Sequence, residues 1–222
     1  MDEAPNQSTA KRSAHDVLAD LVGKPVFWVI FVMVIASYPL IHSLTHPLPE
    51  PLPAIAQVTP FELKNLNDEP YGTDNLRDLM WVVNLVCTEC TDGDEDYGKA
   101  LFKIQHRSRG VGKRFRAVSI TRTPQTDDAE KLQAYASSLR YSPRMWSFLH
   151  GPKDDVEAII TDIFDNQAMR QKAPGTRSEI PLIYRTALVD VSGQIRGYYD
   201  VRFPEELERL LLDMRMVINR GY

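Results

Sequence analysis

Hydrophobic and polar positions along this chain change period several times, and each change marks an element. Between Pro25 and Pro49 there is no Asp, Glu, Lys or Arg, and residues 26–36 are wholly apolar. About 20 apolar residues in a helix span a hydrocarbon core, so residues 25–44 are long enough to form a transmembrane helix. Further on, 61–66 reads as a short strand, and 79–86 as a buried one because its apolar run is continuous rather than alternating. Helical spacing over 94–108 puts Tyr97, Ala100, Leu101 and Ile104 on one face, and 115–121 is again a strand. A helix over 127–139 turns Leu132, Tyr135 and Ala136 inward, with Asp127 or Asp128 as its cap. Val156, Ile159, Ile160 and Ile163 line one face of a helix over 153–164. Strands over 183–189 and 196–201 flank Ser192-Gly193, which suits a hairpin turn, and Pro204 opens a last helix running to about Asn219.

Strand–helix alternation followed by a hairpin and a C-terminal helix predicts an α/β fold of thioredoxin-like plan, with helices on both faces of a central sheet. The chain divides into a polar segment (1–24, with a short helix over 13–22), a transmembrane helix (25–44), a linker (45–57) and one domain (58–222). Trp28 and Tyr38 lie near the ends of the span, where interfacial aromatics belong, and Pro39 kinks its last turns. Lys11, Arg12 and Lys24 precede the span and no Lys or Arg follows it until Lys64. The positive-inside rule then places the N-terminus in the cytoplasm and the main domain outside it, in a periplasm or a mitochondrial intermembrane space. A cleaved signal peptide is the competing reading, with Val34-Ile35-Ala36 or Ala54-Ile55-Ala56 as the small-residue site. The first lies inside the apolar run and the second well past its end, which favours an uncleaved anchor. Pro47, Pro49, Pro51 and Pro53 make the linker extended and semi-rigid.

A net charge of −4 over 222 residues argues against a nucleic-acid binder, and no small-molecule site is evident in the pattern. The chain's two cysteines, Cys87 and Cys90, stand where the buried strand over 79–86 gives way to the turn before the next helix. A helix N-terminus helps a thiol ionise, so this is a place for redox or soft-metal chemistry. Asp92, Asp94, Glu95 and Asp96 oppose that ionisation, and suit a first helical turn matched to the dipole. Cys87 and Cys90 fit a reversible disulfide or a two-thiolate metal clip; equally, Cys87 fits a small packed hydrophobe ending the strand. No catalytic constellation stands out, and the one enzymatic activity these residues suit is thiol–disulfide oxidoreduction. A basic group (Arg107, Arg109, Lys113, Arg114, Arg116) reads as a solvated helix end or as a docking surface for an acidic partner.

Several segments together resemble the Sco/SenC family of membrane-anchored thioredoxin-like proteins linked to copper delivery to cytochrome c oxidase. Asn84, Thr88 and Cys90 match the family's Asn-aromatic-x-x-Thr-x-Cys-Pro-x-x-Cys-Pro. The segment from Ser119-Ile120-Thr121 through Pro124 to Asp127 resembles its Ser-Ile-Thr-x-Asp-Pro-Glu-x-Asp, and Trp146-Ser147-Phe148-Leu149-His150-Gly151 its Trp-x-Phe-Leu-Thr-Gly. Leu188-Val189-Asp190 through Gly193-Gln194-Ile195-Arg196-Gly197-Tyr198-Tyr199 is similar to its Leu-Val-Asp-x-x-Gly-x-Ile-Arg-Gly-Tyr-Tyr.

The resemblance implies copper as the ligand and a respiratory-complex subunit as partner, and its departures fall on the chemistry. With Cys90 as the family's first cysteine, the second falls at Asp94, and the metal-binding histidine corresponds to Leu182. Cu(I) prefers thiolate and imidazole, whereas a carboxylate is a hard ligand, so Cys90, Asp94 and Leu182 do not compose a Cu(I) site. Cys90 remains the candidate thiol and metal ligand, with Cys87 beside it and Asp94 a distant third; His150 is the remaining histidine to consider as a stray ligand. The resemblance thus implies an assembly factor with a degenerate copper site acting through protein contacts. A thiol–disulfide or copper-handling protein and a structural subunit of a membrane complex are the alternatives. Pro181 precedes a strand, where thioredoxin-like folds often carry a cis proline facing the thiol turn.

Overall fold

Buried apolar residues divide into two clusters, one on each side of a single mixed sheet. The computed structural model describes residues 22–45, 51–90, 94–165 and 180–220, and within these the side chains of 40–45, 94 and 95 lie outside the description. Contacts gather into two units, Met1–Glu50 and Pro51–Tyr222. In the first, helix α1 (Pro25–Thr45) runs 21 residues, about 31 Å at 1.5 Å per residue, with Pro39 inside it. Val26, Val29, Ile30, Val32, Met33 and Ile35 are exposed along it. Its described side chains end at Pro39, and among the described residues no helix is long and apolar enough to cross a membrane. All but the last residue of the short helix expected over 13–22 lies outside the described residues.

The second unit begins earlier than its sequence suggests. Proline content reads 45–57 as linker, yet from Pro51 the chain already packs: Ile55 is buried, and β1 (Ala56–Gln57) pairs antiparallel with β8 (Gln194–Asp200). A hairpin of β2 (Glu62–Lys64) and β3 (Pro70–Gly72) follows. Then come β4 (Met80–Val86), α2 (Asp94–Arg107), β5 (Phe115–Thr121), α3 (Ala129–Ser138), β6 (Trp146–Leu149), α4 (Lys153–Phe164), β7 (Arg185–Val189), β8 and α5 (Pro204–Arg220). The sheet order is β1-β8-β7-β4-β5-β6, with β4, β5 and β6 parallel and β7, β8 and β1 antiparallel. This is the expected thioredoxin-like α/β plan. Strand β6, read only as a motif from the sequence, and the short β1 and β3 add to it.

Central position explains β4. All seven of its residues are buried, because helices cover both faces and neighbours flank both edges. Met80, Val82 and Val86 face the cluster that holds α2, α3 and α5; Trp81, Val83 and Leu85 face the one that holds α4. Asn84 is the polar exception. The Trp146 indole donates to Ser119 Oγ at 2.8 Å, and Ser119 donates to Asn84 Oδ1 at 3.0 Å. Three parallel strands are thus linked by a buried polar chain whose members are each satisfied.

The β7–β8 turn forms as its sequence predicts, with Gly193 at φ 79°, a region that favours glycine. Asp190, fully buried, organises it. Its Oδ1 accepts from Ser192 N (2.8 Å), Ser192 Oγ (2.7 Å) and Gln194 N (3.0 Å), and its Oδ2 from Arg196 Nε at 2.6 Å. Arg196 also donates to the Leu52 carbonyl at 2.9 Å, tying the domain's start to the hairpin. Removing one partner of a buried pair strands the other, at about 3–5 kcal/mol. Asp190→Ala is therefore expected to lower unfolding stability by that order, measured by chemical denaturation, whereas a change within 0.5 kcal/mol would contradict this role for the hairpin.

Candidate thiol site

Strand β4 delivers the two cysteines. Its parallel register with β5 runs to Val86↔Thr121, and the Arg122 amide then donates to the Val86 carbonyl at 2.8 Å. Beyond that point the chain leaves the sheet and turns. Cys87 is buried and Cys90 half-buried, their Cα atoms are 5.5 Å apart, and their sulfurs are joined at 2.02 Å. The sequence leaves a closed pair and idle thiols both open; in the structure the pair is closed. Residues 91–93 and the side chains of Asp94 and Glu95 lie outside the described residues; the backbone of Asp94 opens α2, and Asp92 falls in the segment not described.

The residue that holds this turn is one of the two that the sequence offers as the cap of α3. Asp128, not Asp127, caps α3, accepting from the Lys131 amide at 2.8 Å. Asp127 is 1% exposed and points back at the strand ends. Its Oδ1 accepts from Thr88 Oγ1 at 2.5 Å, its Oδ2 from Thr121 Oγ1 at 2.6 Å and Thr123 Oγ1 at 2.9 Å, and the Thr88 amide lies 3.4 Å from both oxygens. These donors fill the acceptor sites of an ionised carboxylate, which a buried charge requires. Thr123 Oγ1 also lies 3.6 Å from Cys87 Sγ. A hydroxyl has one proton; the carboxylate at 2.9 Å takes it, leaving an oxygen lone pair toward the sulfur. Glu89, the next residue of the turn, pairs with Lys131 of α3 at 2.7 Å and holds that ammonium above its ordinary value. The sequence signal for the carboxylate site was present in Thr121, Thr123 and Asp127, polar residues clustered where a buried strand ends.

Other sequence candidates sit apart from this constellation or take different roles. Leu182, at the family's histidine place, begins a 3-10 turn (Leu182–Tyr184) where 183–184 reads as strand, and packs on the α4-side cluster. It offers no donor atom. Among the described residues no peptide bond is cis, so the bond before Pro181 is trans. The His150 ring engages the β2–β3 hairpin, 3.1 Å from the Asn65 carbonyl and 3.6 Å from Asp68. The basic group begins at the end of α2, where Arg107 pairs with Glu208 of α5, and runs through a 3-10 turn (Ser108–Arg114) to Arg116 in β5. On the inner face of α2, burial pushes the Tyr97 hydroxyl well above its ordinary value.

A disulfide sulfur is not a thiolate. With Cys87 and Cys90 bonded to each other and Leu182 lacking a donor, the described residues do not supply the donor set of a thiolate–imidazole Cu(I) site, and among them no group of three potential metal ligands occurs.

Comparison with known proteins agrees with the architecture. A search of curated proteins returns no match. Among solved structures, a SCO1/SenC family lipoprotein from Bacillus anthracis str. Ames superposes with a TM-score of 0.63 at 21% identity, covering 78% of this chain and 99% of that one. BsSco, a Sco-family cytochrome c oxidase assembly protein in which a disulfide switch was identified, gives 0.62 at 18%, covering 75% and 96%. Yeast Sco1 with copper bound gives 0.54 at 18%, covering 73% and 94%. These likenesses establish the thioredoxin-like fold. The family model described as SCO1/SenC matches residues 50–218, beginning one residue before the second unit and taking in the thiol turn, the Asp127 site and the β7–β8 hairpin. On that match, the chain belongs to the SCO1/SenC family.

Proposed function

We propose that this protein is an accessory factor in respiratory oxidase assembly that has given up the family's three-ligand copper site and acts through protein contacts. One observation carries the reading: the framework is retained while the ligand positions are filled by a disulfide-bonded Cys90, by Asp94 and by a packed Leu182. An apolar cleft of about 640 Å³ between α2 and α3, floored by Phe102 and Leu139 and rimmed by Lys103 and Arg140, supports a protein partner. The reduced protein is expected to show no tight one-equivalent Cu(I) site in a competition titration. One tightly bound Cu(I), lost in Cys90→Ala, would overturn the proposal.

A second reading, thiol–disulfide exchange through Cys87 and Cys90, is favoured by the closed pair itself and by the half-exposed position of Cys90. It agrees with the disulfide switch identified in BsSco.

In either reading the domain is held at a membrane and faces the extracytoplasmic side. The exposed apolar side chains of α1 need a cover, and lipid provides one. Lys11, Arg12 and Lys24 before the helix set the orientation. The protein is expected to stay with membranes through a high-salt alkaline wash, and added protease is expected to digest the thiol domain once the outer membrane is opened and the inner membrane is left sealed, as in spheroplasts or mitoplasts. Recovery in the soluble fraction, or a mass showing removal of α1, would rule out the anchor.

A further inference from the structure

Four donors converge on Asp127, and two of them belong to one residue inside the thiol turn. Thr88 follows Cys87 directly and presents both its hydroxyl and its amide to the carboxylate. The carboxylate is itself fixed from the sheet side by Thr121 and Thr123 at the end of β5. The turn between the cysteines is therefore fastened to the scaffold by a buried charge rather than left to its own geometry. We propose that Asp127 is a positioning residue for the thiol pair: by gripping Thr88 it keeps Cys87 and Cys90 in closing geometry and so sets how stable their disulfide is. The inference rests on the thiol–disulfide reading above.

The reaction concerned is exchange with a small thiol such as glutathione. Its thiolate attacks the sulfur of half-buried Cys90, the bond to Cys87 breaks, and the Cys87 sulfur leaves with the electron pair and takes up a proton. A second glutathione thiolate attacks the mixed disulfide, frees Cys90, which is protonated, and departs as glutathione disulfide. Two glutathiones are oxidised and one protein disulfide is reduced to a dithiol. Closure runs the same steps backwards, and its last step is intramolecular. Holding the attacking and attacked sulfurs together raises the effective concentration of that step. A loosened Thr88 lowers it, and the equilibrium then shifts toward the dithiol.

The test equilibrates the full-length protein in detergent with glutathione redox buffers and counts free thiols by alkylation and intact mass. Asp127→Asn removes the charge with little change of shape, and Thr88→Val removes the gripped hydroxyl. Asp127→Asn is expected to shift the equilibrium toward the dithiol about tenfold, the size of losing a hydrogen bond to a charged group, and Thr88→Val somewhat less. The double variant is expected to shift no further than Asp127→Asn alone, because both act through one contact. A purely structural role for Asp127 lowers unfolding stability without that non-additivity. Wild-type cycling with unchanged equilibria in both variants, or fully additive shifts, overturns the inference and leaves the thiol–disulfide reading standing. A wild-type pair that glutathione and dithiothreitol cannot open in the folded protein overturns that reading and the inference with it. Thr88 is half-buried and its replacement keeps the carboxylate, so this arm remains decisive if Asp127→Asn does not fold.

Discussion

The buried carboxylate of Asp127 is the constraint on which the thiol end of the molecule depends. It stands where β4 and β5 run out and α3 begins, and it binds a threonine from each side of that junction. A charge buried without partners costs several kcal/mol, so the junction forms with all its hydroxyls in place or at heavy expense. That coupling makes the position of the cysteine turn a property of the sheet. Movement at Thr88 is movement at Asp127, and through it at the ends of two central strands.

The same logic recurs through the sheet. Asn84, Ser119 and Trp146 link three parallel strands inside an otherwise apolar core. Asp190 gathers the β7–β8 turn and, through Arg196, the first residues of the domain. Apolar clusters on the two faces supply the bulk of the driving force, since burial is non-directional. The polar groups decide register and the path of the turns, because an unpaired buried group is penalised wherever it falls. In this family member the directional contacts at Asp127 and Asp190 fix the path of the thiol turn and of the β7–β8 hairpin.

Periodicity alone made the long elements legible. The helix over 153–164 and the strand over 115–121 are found at the expected residues, because each pairs a regular apolar face with clear stop signals. Elements of two to four residues, β1, β3 and β6, were hidden; strand pairing rather than local propensity creates them. Ile183 and Tyr184 looked like strand because they are apolar and β-prone, yet they turn just before β7. At the site, the spacing of Cys87 and Cys90 was visible, and the family register suggested a packed Cys87 rather than a bonded one. Asp127 was hardest to read: beside Asp128 it has the local look of a helix cap, and its decisive partner, Thr88, is 39 residues away.

Everything at the thiol end turns on whether the pair at the end of β4 is closed in the working protein. The direct measurement is alkylation of the full-length protein as it leaves its membrane, without reductant, followed by intact mass and peptide mapping. Cys87 and Cys90 are expected to be both blocked, to map to one linked peptide, and to take up two labels only after reduction. Two labelled thiols before reduction, or a copper ion held by Cys90, would contradict a closed pair.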